Sequence, residues 1–173
     1  MQVQLEREIF IRAGRSFAVL SEAIQTFQGY LGSSVAASAP EYYRARNLFK
    51  EGKAMYDQTL ADAKKLLGPI PIYAAKDFEG WRAQALLDNK IVVRGRTLDE
   101  LRTELAADEF VRTIMTSAEV EAYLAARFES QSSGKRKIAN IKIRMALDRL
   151  AGLAAQGAEL QKTAQRKQQG LPV

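Results

Sequence analysis

The sequence predicts a mainly α-helical protein: a single helical domain of about six helices, with at most a minor two-stranded β element. Apolar residues recur at steps of three and four over several long stretches, which is the spacing of one helix face. Glycine, proline and polar runs separate these stretches. With 173 residues, 47% of them hydrophobic, the chain can bury a core of ordinary size. We expect one domain over residues 1–161 with a sub-boundary at 68–76, then a frayed basic and glutamine-rich tail over 162–173.

The N-terminal residues 1–12 fit either a half-buried strand or the start of a helix. Apolar residues alternate there, but Leu5 and Ile9 are four apart and the intervening Glu and Arg residues favour a helix. We favour the helix, with Gly14 as the only strong breaker before the next periodic run. An amphipathic helix then follows over residues 15–32.

A second helix is predicted from about Pro40 to Leu67. The sequence Gly-Pro-Ile-Pro at 68–71 must end it, because neither proline fits a helix interior. The positions predicted to be buried keep the three-and-four spacing: Tyr42, Ala45, Phe49, Tyr56, Leu60, Ala63 and Leu67. Four cations lie along one edge of that stripe on a helical projection: Arg46, Lys50, Lys53 and Lys64.

The middle of the chain contains shorter elements. Asp77 is a candidate cap for a short helix, and KIVVR at 90–94 is the best strand candidate because three β-branched residues adjoin. Residues 97–100 and 116–119 have the spacing of capping boxes, in which a threonine and a glutamate bond each other's backbone N–H. Each box opens a helix, and a break is expected at residues 107–108, where the apolar period slips.

A long helix is predicted after the polar loop at 130–134, and it is apolar on two opposite sides. One side is a core stripe: Ala139, Ile143, Ala146, Leu147, Leu150, Leu153, Ala154 and Ala158. The opposite side holds Ile138, Ile141, Met145 and Gly152. Such a helix is sandwiched, either between two layers of its own domain or between its domain and another subunit.

Composition excludes several chemistries. Cysteine and histidine are both absent, which removes disulfides, thiolate and histidine metal sites, cysteine nucleophiles and Ser-His-Asp catalysis. Glu100, Glu104 and Asp108 share a helix face, but a solvated acidic face is far commoner than a catalytic one. We therefore expect no enzyme activity, no catalytic residue, no metal and no cofactor. The sequence also contains no secretory signal and no spanning segment, so we expect a cytoplasmic protein without a membrane partner.

Charge is distributed unevenly along this basic chain, whose net charge is +6. Residues 97–134 hold three basic and eight acidic side chains, whereas residues 135–173 hold nine basic and two acidic ones. Either the two blocks attract each other within the fold, or the basic block meets an external polyanion.

Two sets of cations are candidates for nucleic-acid contact. The first follows the polar loop and continues into the last helix: Lys135, Arg136, Lys137, Lys142, Arg144 and Arg149. The second lies on the helix over 40–67: Arg46, Lys50 and Lys53, with Tyr43 as the one nearby aromatic that is off the buried stripe. Cations hold phosphates and aromatic rings stack on bases, so both sets match nucleic-acid chemistry.

The function predicted from these features is a small non-enzymatic helical subunit or adaptor of a larger assembly. It would contact DNA or RNA through the basic C-terminal segment, and a protein partner or a second copy through its helix faces. The alternative is a pure protein–protein interaction module, either a structural component or an inhibitor, without nucleic-acid binding.

Overall fold

The computed structural model describes residues 2–33, 39–70, 72, 98–127 and 138–172. These residues form six helices and no strand: α1 Gln2–Gly32, α2 Ala39–Leu67, α3 Leu98–Ala107, α4 Glu109–Ile114, α5 Ser117–Arg127 and α6 Ile138–Gln168. The prediction of a mainly α fold is confirmed. The predicted Asp77 helix, the KIVVR strand and the polar loop at 130–134 lie outside the described residues.

Three long helices, α1, α2 and α6, form the body of the molecule. Helices α1 and α6 have 31 residues each, which corresponds to about 46 Å of α-helix. Helix α2 is antiparallel to α1, since Ser16 hydrogen-bonds the carbonyl of Gly52 and Glu22 pairs with Arg44 at 2.8 Å. Arg12 and Asp62 form a further ion pair between these two helices.

Helix α6 lies parallel to α1. Lys142 sits over the ring of Phe10 at 5.1 Å and Lys167 sits over that of Tyr30 at 4.6 Å, so residue numbers rise together along the two helices. Phe49 of α2 contacts Gly157 of α6. The bundle therefore has α2 running against its two neighbours.

Two glycines allow close approach of these helices. A Cβ atom at Gly52 would lie 2.8 Å from Leu20 Cγ and 3.1 Å from its backbone nitrogen. A Cβ atom at Gly157 would lie 2.6 Å from the Phe49 ring. Both glycines are buried inside helices, so the conformational entropy they cost is offset by tight packing.

Residues 2–12 are helical, as favoured from the sequence, and α1 continues through Gly14 without interruption. Ile9 and Ala13 on one side of the glycine and Leu20 on the other are all fully buried on a single face. That continuous apolar contact outweighs the low helix propensity of one glycine.

The C-terminal segment from Lys162 does not fray in the structure, because α6 continues to Gln168. Ala164 is fully buried, and Lys167 Nζ donates hydrogen bonds to the carbonyls of Tyr30 and Ser33. These carbonyls end α1, where a cation is favourable for the helix dipole. The last turns of α6 are thus anchored to α1.

The short helices adjoin the end of the bundle where α6 begins. Phe110 of α4 packs edge-on against Phe10 of α1, with ring centroids 5.0 Å apart. The predicted break at Asp108 is confirmed, and Asp108 caps α4 by accepting from Val111 N–H at 3.0 Å. The second capping box is also confirmed, with Thr116 and Glu119 each bonding the other's backbone N–H. Thr97 of the first box lies outside the described residues.

A pair of glycine substitutions tests this packing. We expect Gly52→Ala to lower the free energy of unfolding by about 1–3 kcal/mol, because the new methyl group meets the backbone of Leu20. Gly14→Ala should raise it by about 0.5–1 kcal/mol, since no atom lies within 4 Å of the new Cβ and alanine favours the helix. Urea denaturation followed by circular dichroism measures both, and equal effects of the two variants would contradict the packing described.

Candidate nucleic-acid interface

Helix α6 is buried on both of its apolar sides by the rest of this chain. Ile143 and Leu147 on one side and Ile141 and Met145 on the other are all fully buried. The first of the two sequence interpretations therefore holds, since no second subunit is needed to cover either side. Cations on this part of α6 must consequently emerge between packed surfaces.

Two of those cations are paired with carboxylates of the acidic segment 97–134. Lys142 Nζ lies 2.8 Å from Asp108 Oδ2, and the Lys142 side chain is only 19% exposed. Arg149 lies 3.1 Å from Glu119, with its side chain 23% exposed. Each is thus neutralised within the fold, in agreement with the internal interpretation of the two charge blocks.

Both carboxylates also accept backbone N–H groups at the start of a short helix. One oxygen of Asp108 caps α4 while the other receives Lys142. Glu119 accepts the backbone N–H of Thr116 with one oxygen and pairs with Arg149 through the other. The caps that start α4 and α5 are therefore also the counter-ions of α6.

A third cation of the predicted site, Arg144, lies inside the protein. It is 6% exposed, and its charge acts on the buried phenol of Tyr123, which belongs to a buried polar cluster with Arg127 and Asp148. In this cluster Tyr123 OH donates to Asp148 at 2.9 Å, and Arg127 Nε lies 3.7 Å from the same carboxylate. Arg144 therefore has no path to a polyanion in solvent.

Burial and charge act together on the phenol of Tyr123. Burial raises its pKa well above 10.0, and the charge of Asp148 and the hydrogen bond to it raise it further. The charges of Arg127 and Arg144 oppose this rise. The phenol remains a neutral hydrogen-bond donor, which joins α5 to α6 in the interior.

The first three residues of the predicted C-terminal site, Lys135, Arg136 and Lys137, lie outside the described residues. Of the six cations in that set, the structure thus places two in ion pairs and one in the core.

The second predicted set is arranged differently. Arg46, Lys50 and Lys53 are all exposed and line an open depression of about 480 Å³ between α2 and α6, together with Gln161. Lys53 pairs with Asp57 at 3.2 Å, with both side chains more than half exposed, and such a pair is weak in water. Arg46 and Lys50 make no ion pair within the described part of the chain.

Lys64 extends this set along the same helix. It is exposed and lies eighteen residues after Arg46, which is five turns and about 27 Å further along the same side. The sequence projection already put Lys64 on this edge, although the predicted site omitted it. We call Arg46, Lys50, Lys53 and Lys64 the α2 basic face.

One of the three carboxylates considered for catalysis has a structural role. Asp108 is a helix cap and an ion-pair partner, as described above. Within the described ranges, no three Asp or Glu side chains are grouped so that they could hold a metal ion.

None of the described helices is both long and apolar enough to cross a membrane.

The environment of Asp108 depresses the pKa of its carboxyl. Burial by itself would raise that pKa, but the hydrogen bond from Lys142, the backbone N–H of Val111 and the charge of Lys142 outweigh it. The pKa falls below its ordinary value of 3.8. Because the folded-state pKa is lowered, the carboxylate stabilises the fold at neutral pH and loses this effect as the pH falls through the lowered pKa.

Substitution of Asp108 by asparagine isolates this charge, since asparagine is an equally good cap. We expect Asp108→Asn to lower the free energy of unfolding by about 1–2 kcal/mol at neutral pH. That cost should shrink as the pH falls from about 4 through the lowered pKa, because the wild-type carboxyl is protonated first in the unfolded chain and then in the folded protein. Urea denaturation across this pH range measures the cost of the substitution. Asp108→Ala, which also loses the cap, is the comparison. A cost independent of pH would contradict the assignment.

No protein-family model, curated protein sequence or solved structure matches this chain.

Proposed function

We propose that this protein is a small non-enzymatic helical subunit or adaptor that contacts DNA or RNA through the α2 basic face. The observation that carries the proposal is the contrast between two helices. On α6, Lys142 and Arg149 are paired with carboxylates and Arg144 is buried. On α2, Arg46 and Lys50 are exposed and make no ion pair within the described residues.

The geometry of the face suits a polyanion. A straight helix holds its cations in a row about 27 Å long. For comparison, each strand of a DNA duplex presents a phosphate about every 3.4 Å along the axis. Four phosphate contacts would give a logarithmic salt slope of about −3 for a single strand. The exposed pairing of Lys53 with Asp57 is easily exchanged for a phosphate, because both groups are already hydrated.

The proposed site therefore differs from the C-terminal site predicted from sequence. Lys142 and Arg149 would have to leave Asp108 and Glu119 before they could bind a phosphate, and both carboxylates would then lose their counter-ions. Lys135, Arg136 and Lys137 remain a proposed second contact. The same proposal includes contact with a protein partner or with a second copy of this chain. It also includes a cytoplasmic location.

Three triple variants with equal charge change test the location of the site. The first changes Arg46, Lys50 and Lys53 to glutamine, and the second changes Lys135, Arg136 and Lys137. The control changes Arg7, Arg15 and Arg112, which are exposed cations on α1 and α4. Binding of each to a labelled 30-mer is measured by fluorescence anisotropy at 50 and 200 mM salt.

We expect the α2 variant to lose roughly 10- to 100-fold in affinity at the lower salt and to reduce the salt slope by about 2. The control should lose far less, since its net charge is the same but its cations lie elsewhere. Equal losses in the α2 variant and the control would refute the α2 basic face as the site. Absence of wild-type binding at low salt would refute the nucleic-acid function and favour the pure protein–protein module.

A further inference from the structure

One aromatic ring stands beside the α2 basic face. Tyr43 is 49% exposed, and it is one of three large apolar side chains exposed to this degree in the described part of the chain, with Ile11 and Leu171. Of these three, Tyr43 alone lies on α2. About half of the Tyr43 surface is open to solvent.

The ring of Tyr43 is held in place by a buried aromatic neighbour. It packs edge-on against Tyr42 with centroids 5.2 Å apart and an interplanar angle of 66°. Tyr42 is 5% exposed and contacts the buried ring of Tyr30 at 5.8 Å. The hydroxyl of Tyr30 donates to Gln168 at 2.8 Å, so the stack is anchored to the end of α6. A ring fixed in this way loses little conformational freedom when a ligand stacks on it.

Tyr43 lies close to the cations on the surface of α2. Lys50 follows it by seven residues, which puts the two side chains about 20° apart around the helix and about 10 Å apart along it. Arg46 is one turn from Tyr43. A nucleotide whose base lies on the Tyr43 ring can therefore direct its phosphates along the row of cations.

We propose that Tyr43 is a base-stacking residue, and that the ligand of the α2 basic face is a single-stranded nucleic acid. This inference rests on the proposed function and names its ligand. In a duplex the faces of the bases are covered by their neighbours and only their edges are open to a protein. An exposed ring beside a row of cations fits unpaired bases, which stack on aromatic side chains while cations hold the backbone.

Three ligands with a common backbone separate the contributions. They are a labelled dT 12-mer, the same strand in a dT·dA duplex, and a 12-mer with abasic sites in place of thymidine. Each is titrated by anisotropy against wild type, Tyr43→Ala and Tyr43→Phe. Because Tyr43 is half exposed, neither substitution should disturb the fold, and circular dichroism verifies this.

We expect wild type to bind the dT strand more tightly than the duplex, and Tyr43→Ala to lose about 5- to 100-fold on the dT strand. Tyr43→Phe should retain wild-type affinity, since it keeps the ring. The abasic strand should bind wild type and Tyr43→Ala equally, and Tyr43→Ala should keep the wild-type salt slope, because it removes no cation.

The outcomes distinguish this inference from the function on which it rests. Salt-dependent binding that is equal for strand and duplex and unaffected by Tyr43→Ala would overturn the stacking role and leave the α2 basic face intact. Preference for the duplex would also overturn it. If wild type bound none of the three ligands but did bind poly-glutamate, an acidic protein partner would replace nucleic acid and both proposals would fail.

Discussion

The fold depends on neutralising the charges that α6 carries into the interior. A helix packed on both sides cannot leave a cation unpaired without a large desolvation cost. Asp108 and Glu119 provide this neutralisation because they lie where α4 and α5 begin. In the interior, Asp148 of α6 pairs with the buried Arg127 of α5. Capping and charge pairing are thus combined in the same side chains, which fixes where the short helices must lie on the bundle.

This constraint also decides which surface is free for a partner. The most basic block of the sequence is largely used within the fold wherever the structure describes it, so its composition overstates the charge it offers to solvent. The predicted cation set on α2 is the smaller of the two, but its members are exposed. They lie along the edge of the buried stripe that contains Tyr42, Ala45 and Phe49, so the core contacts of α2 do not cover them. The functional proposal follows from exposure and pairing more than from net charge.

Much of the architecture could be predicted from local patterns. The end of α2 at residues 68–71, the break at Asp108 and the box at Thr116–Glu119 each depend on residues within one or two turns. Asp108 and Lys142 are 34 positions apart, and no periodicity in one segment indicates the carboxylate that another segment will present. The same limit explains why α1 runs through Gly14 as one helix and why α6 continues to Gln168 where fraying is predicted, since long-range packing of α1 and α6 overrides both local signals. For the candidate nucleic-acid site, the helical projection of the sequence identified the row of cations on α2. It gave no reason to prefer that row over the more strongly charged C-terminal segment.

The central claim is that the cations of α2 are available and those of the first half of α6 are not. Amine acetylation of the intact protein, read by mass spectrometry at each lysine with and without a dT oligonucleotide, tests it most directly. The account predicts rapid acetylation of Lys50, Lys53 and Lys64 that the oligonucleotide slows, and slow acetylation of Lys142 under both conditions. Rapid acetylation of Lys142 that the oligonucleotide suppresses, with the α2 lysines unaffected, would contradict it.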